Sequence, residues 1–263
     1  MITANSCFES DCSCQSARIH LPVADLCNAN CYYCSFRTSR NISLQAMPGH
    51  SLFIPRGHLQ IEQYLNKRMK LMPECSLIGI SGPGDILSST EQLCELLEVV
   101  SNPQYLKIAC CICTNGWDFY LTRPLMEQWD TLKYITVTIN SLQPQECAHI
   151  YVHPTADEAY YNQKKAAQLA LLHWAADRNI TLKINTVLSE YNAESILDTW
   201  EALSNHAPIH IYNLLQLQGQ TMTSDQKVNY NAIYRKVLVH AQEAGFRVKN
   251  NCKHCRADSY GRW

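Results

Sequence analysis

The sequence lacks a charge imbalance. Its 22 lysines and arginines nearly match its 23 aspartates and glutamates, giving a formal net charge of −1. An electrostatic grip on nucleic acid calls for a basic face, and this composition supplies none. The sequence also lacks any run of about 18 uninterrupted apolar residues, so no membrane span is expected. Met1 to Asp11 is polar and acidic, with neither a basic start nor an apolar stretch. That opening predicts no signal peptide and a cytoplasmic chain. No low-complexity segment and no recurring residue pattern is present. A 46% hydrophobic content over 263 residues is enough to bury one sizeable core without covalent staples.

What abounds instead is cysteine. There are 14, at positions 7, 12, 14, 27, 31, 34, 75, 94, 110, 111, 113, 147, 252 and 255. In a short secreted chain this would read as a disulfide framework. In a long chain with a normal apolar content and no leader, it points to metal binding or catalysis.

Short apolar runs alternate with helical stretches. Strands are expected at Ala17–Val23, Leu77–Ser81, Leu106–Cys111, Tyr134–Asn140, Leu182–Leu188 and Ile209–Leu217. Helices are expected at about Gly57–Lys70, Thr90–Ser101, Leu121–Asp130, Asp157–Asn179, Ala193–Asn205 and Asp225–Ala244. Thr155 with Glu158, and Thr223 with Gln226, fit capping boxes. Six strands alternating with six helices predict an α/β fold with a parallel sheet, closed or half closed as a barrel. In such barrels the site lies at the C-terminal ends of the strands. The unusual residues fall there: Cys27, Cys31 and Cys34 after the first expected strand, Ser81 to Asp85 at the second, Cys111 to Gly116 at the third, Asn140 and Ser141 at the fourth.

Cys27, Cys31 and Cys34 form a C-x3-C-x2-C loop. Three thiolates this close can each take one iron of a cubane and leave the fourth iron open. A zinc site is the competing reading, with Cys31 and Cys34 joined by Cys252 and Cys255. Cysteines 75, 94 and 147 stand in apolar or helical surroundings and are expected to be buried small hydrophobes. Asn140 and Asn185, at strand ends, are either ligand-binding or loop-capping amides.

The triad, with Tyr33 just before its last cysteine, resembles the radical S-adenosylmethionine (SAM) superfamily. That resemblance implies a partial (β/α)6 barrel, a [4Fe–4S] cluster on Cys27, Cys31 and Cys34, and SAM chelated by the open iron. It implies that Ser81, Gly82, Gly84 and Asp85 form the turn that receives SAM. Tyr33, Asn115, Asn140 and Asn185 are the remaining candidate contacts.

More of the sequence is similar to the NifB family, which assembles the core of the nitrogenase cofactor. The similarity runs through Ser6 to Phe8, Ala17 to Ala24, Gly79 to Asp85, Cys111 to Gly116, Val137 to Asn140, Lys183 to Val187 and Cys252 to Gly261. It implies two further [4Fe–4S] substrate clusters, fused into one around a carbide drawn from SAM. By position, Cys7 and Cys111 would hold one, and Cys252 and Cys255 the other. Cys14 stands where the family carries a histidine ligand, and Met47-Pro48-Gly49 replaces an arginine-containing turn. Cys110 and Cys113 are extra thiols beside Cys111. The resemblance implies one domain over residues 1–263: a cluster-binding extension at 1–16, the barrel at 17–217, and a closing helix and CxxC loop at 218–263. Expected partners are iron–sulfur donor proteins, a cofactor carrier, and an electron donor such as a ferredoxin or flavodoxin. The same cysteines also admit a radical SAM enzyme with electron-relaying auxiliary clusters acting on a peptide or small molecule, or a non-enzymatic cluster scaffold.

Overall fold

The computed structural model describes residues 8, 18–34, 54–80, 82, 84–217 and 224–250. The expected ligands Cys7, Cys14, Cys252 and Cys255, the turn residue Ser81 and the capping Thr223 lie outside the described residues.

Strands and helices alternate along the chain. They run β1 (Arg18–Leu21), α1 (Gly57–Leu71), β2 (Leu77–Ile80), α2 (Thr90–Val100), β3 (Ala109–Thr114), α3 (Phe119–Met126) and β4 (Leu132–Thr138). Then come α4 (Pro144–Ile150), α5 (Glu158–Asp177), β5 (Thr181–Val187), α6 (Ile196–His206), β6 (Ile209–Leu215), α7 (Ser224–Glu243) and β7 (Val248–Asn250). The strands form one sheet in chain order, β1 to β7, and every neighbouring pair is parallel. β1 and β7 do not pair, so the barrel is partial and open.

Alternation along the strands separates two faces. Ile19, Leu21, Ile78, Ile80, Ile112 and Ile135 belong to the large apolar core under the helices. Helix caps set where that packing begins. Ser89 accepts from the Gln92 amide at 3.2 Å to start α2. Asp157, and not Thr155, caps α5 by accepting from Tyr160 at 2.8 Å. Aspartate two residues later is the better acceptor for that first turn.

Four more expectations are corrected. β3 begins at Ala109, so the expected Leu106–Cys111 strand is displaced: Tyr105 and Ile108 are buried in turns before it. Cys111 therefore lies inside β3 and not at its end. A seventh strand, β7, and the short helix α4 were not expected. Cys94 is exposed on α2, while Cys75 and Cys147 are buried as expected.

Candidate active site

The triad occupies the loop after β1, beside the C-terminal ends of β2, β3 and β4. Three sets of hydrogen bonds fix that loop. At its start, Gly84 donates to the Ala24 carbonyl at 2.8 Å and Asp85 donates to the Leu26 carbonyl at 2.6 Å. A side chain on Gly84 would run into the Leu26 backbone, and one on Gly82 into Gly84. Glycine is required at this turn by the loop itself, whatever else binds there. In the middle, Asn28 accepts from the Asn115 side-chain amide at 2.9 Å, donates to Asp118 from its own amide, and its backbone N–H donates to Ser88 Oγ at 3.3 Å. Asn30 adopts φ 44°, a left-handed conformation that asparagine tolerates, and its amide donates to the Val152 carbonyl. At its end, Cys31 bridges to Tyr151, and Tyr32 donates to the Ile150 carbonyl at 3.0 Å.

Asp85 is 4% exposed and faces inward. Its carboxylate accepts from Leu87 at 3.0 Å, from Thr114 Oγ1 at 2.7 Å and from the Asn115 backbone at 2.5 Å. Burial nevertheless pushes its pKa from 3.8 up to about 6, against those three donors. Asp85 thus ties the end of β3 to the turn after β2. Asn115 extends the tie: its Nδ2 lies 3.8 Å from Cys27 Sγ and its Oδ1 accepts from Trp117 at 2.8 Å.

Asn140 is engaged with the protein. Its Oδ1 accepts from the Val187 backbone at 2.9 Å, and its Nδ2 donates to Tyr33 at 2.6 Å and Tyr151 at 3.1 Å. It therefore aims two phenols at the triad loop. Burial, then the neighbouring Cys31, holds both phenols well above the ordinary tyrosine range. Asn185 accepts from Asn213 at 2.9 Å on the inner face of the barrel. Behind the triad, Trp117, Ile150, Tyr151 and Tyr161 form an apolar wall that includes Cys27 and Cys31.

The thiols are set in dry surroundings. Burial, with Asp85 and Cys34 adding to it, pushes Cys27 up to about 12. Burial, with Cys34 and Cys27 adding, holds Cys31 well above its ordinary value. Two mutually repelling thiols in such a place, Cys27 and Cys31, ionise only when cations arrive with them. No three histidine, cysteine or acidic side chains among the described residues converge on a single ion. The donor set and the tight glycine turn fit a [4Fe–4S] cluster. Sequence reasoning missed Asn28, Asp118 and Tyr151; the two asparagines inside the triad loop were the available signal.

The fold is that of radical SAM enzymes. The solved structure of SuiB from Streptococcus suis bound to S-adenosylmethionine matches with a TM-score of 0.60 and 12% identity, over 92% of this chain and 52% of that one. The FeFe-hydrogenase maturase HydG from Carboxydothermus hydrogenoformans matches with a TM-score of 0.53 and 13% identity, over 94% of this chain and 56% of that one. No family model matches the chain. Its sequence is similar to proteins named FeMo cofactor biosynthesis protein NifB. The one from Chlorobaculum tepidum is 29% identical over 99% of this chain and 62% of its own length. The one from Methanocaldococcus infernus is 28% identical over 99% of this chain and 86% of its own length. The chain thus spans less than two thirds of the first of these relatives. The chain is thus similar in sequence to NifB proteins and similar in fold to radical SAM enzymes. No helix among the described residues is long and apolar enough to cross a membrane.

Proposed function

We infer that this chain is a radical SAM maturase of iron–sulfur clusters, working in the cytoplasm. The observation that carries the reading is the triad loop, held at the mouth of the barrel by Gly84, Asp85, Asn115 and Asn28. Cys27, Cys31 and Cys34 would hold the [4Fe–4S] cluster. Once bound there, that cluster and SAM supply one-electron cleavage of a carbon–sulfur bond and a carbon-centred radical. The residues of this chain position and protect. Asp85 and Asn115 fix the loop, Asn140 holds Tyr33 and Tyr151 against it, and the Trp117 wall excludes water. Gly82, Gly84 and Asn185 are the candidate surfaces for SAM.

The finer reading follows the NifB resemblance. Two [4Fe–4S] clusters are the substrate, joined around a carbon taken from SAM to give a nitrogenase cofactor precursor. Cys7 with Cys111, and Cys252 with Cys255, are the candidate ligands, with Cys14 as a further one. One observation supports the first pair: Phe8, which follows Cys7, is buried against Leu77, Ala109, Cys111 and Tyr134. Donor proteins would deliver the clusters, a carrier would receive the product, and a ferredoxin or flavodoxin would supply electrons.

The Cys27/Cys31/Cys34→Ala protein tests the reading. The expected outcome is loss of SAM cleavage with iron retained at the other sites. Unchanged SAM cleavage in that variant would overturn it.

A further inference from the structure

The aspartate at the start of α3 does not cap its helix. Asp118 is the N-cap residue there, a position where an aspartate side chain ordinarily accepts from the first-turn amides. Here it makes no such bond. Its carboxylate is turned back toward the triad loop: one oxygen accepts from the Asn28 side-chain amide and the other from Lys164 Nζ at 3.3 Å. Lys164 comes from α5 and lies over the Trp117 and Tyr160 rings, 5.8 and 5.2 Å from their centres. Both partners of this ion pair are largely shielded, with 17% and 18% of their side chains exposed. A pair so shielded is screened less by salt than one at the surface.

The bonds beyond Asn28 have a direction. Asn28 Oδ1 accepts from Asn115 Nδ2 at 2.9 Å, and the same nitrogen lies 3.8 Å from Cys27 Sγ. Asn115 Oδ1 is engaged by the Trp117 backbone N–H at 2.8 Å. The two hydrogens of Asn115 Nδ2 are thus divided between Asn28 and the first thiol of the triad. A carboxylate only accepts, whereas a side-chain amide presents an oxygen or an NH2 according to which way it is turned. Asp118 therefore draws the NH2 of Asn28 to itself and leaves the Asn28 oxygen facing Asn115. With Asn28 turned over, two NH2 groups would meet, and the Asn115 amide would be pushed from its place at Cys27.

We propose that Asp118, steadied by Lys164, is a positioning residue: it orients the Asn28 and Asn115 amides so that an N–H is aimed at the Cys27 sulfur, and it thereby raises the reduction potential of the cluster that the triad would hold. This rests on the radical SAM reading and deepens it. Hydrogen bonds to ligand sulfurs are among the features that set the potential of an iron–sulfur cluster. An N–H donor favours the reduced form, which carries the extra negative charge. Groups that orient the surroundings of a metal ligand tune other metal centres in the same way.

The test is the reduction potential of the triad cluster in the reconstituted full chain, followed by paramagnetic resonance during an anaerobic redox titration. The triad signal is identified as the one missing from the Cys27/Cys31/Cys34→Ala protein. Asp118→Asn keeps the size of the side chain but offers Asn28 an amide in place of a carboxylate. Loss of a negative charge would by itself raise the potential. The expected result is the opposite, a fall equivalent to an about tenfold less favourable reduction, about 59 mV for one electron. In an Asn115→Ala background the same substitution should produce no fall. An unchanged or raised potential for Asp118→Asn, or an equal fall in both backgrounds, overturns this proposal while the cluster reading stands. A wild-type chain with no signal that the triple variant lacks overturns both.

Discussion

The two faces of one sheet have been given to different tasks. The outer face of β1 to β6 is largely apolar and shut under helices, as a parallel sheet requires. The inner face and its rim carry lysines, thiols, asparagines and the buried carboxylate of Asp85. Burying polar groups is unfavourable unless they are satisfied. The outer face therefore supplies stability, and the inner face spends some of it to present chemistry.

That contrast can be broken by substitution. Trp200, on α6, is fully buried against the outer face, stacked on Tyr212 at 4.7 Å and donating to Thr186 Oγ1 at 3.0 Å. Trp200→Ala is expected to cost about 4 kcal/mol in denaturant unfolding, while the protein that remains folded keeps its iron. Asp85→Ala strands three buried donors and should cost about 3 kcal/mol, but here the iron of the triad is lost as well. Loss of iron in the first variant, or its retention in the second, would erase the distinction between the faces.

Asp85 also gives the contrast a pH dependence. Its folded pKa, about 6, lies above the ordinary 3.8. Between those values the folded chain binds the extra proton, so its stability falls as pH rises through the window and is level above it. Relative to Asp85→Asn, which has no proton to exchange, the wild-type chain should lose stability from pH 4 to 6. A difference that is flat across that window would contradict the assignment.

Two smaller changes sharpen the comparison. Gly84→Ala pushes a methyl group into the Leu26 backbone. It should cost about 2 kcal/mol and depress triad iron more than its effect on stability would suggest. Cys94→Ser, on the exposed side of α2, should change stability by less than about 0.5 kcal/mol and leave the iron content unchanged.

Much of this was legible in the sequence, for identifiable reasons. Hydrophobic runs marked β1, β2, β4, β5 and β6 because the outer row alone is continuous enough to be seen. β3 was displaced because Leu106 to Ile108 extends its apolar run while folding as turns. β7 is three residues long and left no periodic signal. The triad was legible because its ligands are close in sequence. Its supports were not, since Asn28 to Asp118 and Tyr33 to Asn140 join residues 90 and 107 apart. That Lys183 and Lys249 fall on adjacent levels of the inner face depends on register, which only the folded sheet supplies.

Iron and sulfide content of the anaerobically reconstituted chain, with paramagnetic resonance recorded before and after SAM, tests the central claim most directly. The account predicts about twelve irons, as three cubanes, with the auxiliary signals lost on turnover. About four irons, as one cubane, with SAM cleaved normally, would contradict it and leave a radical SAM enzyme that does not handle clusters as substrate.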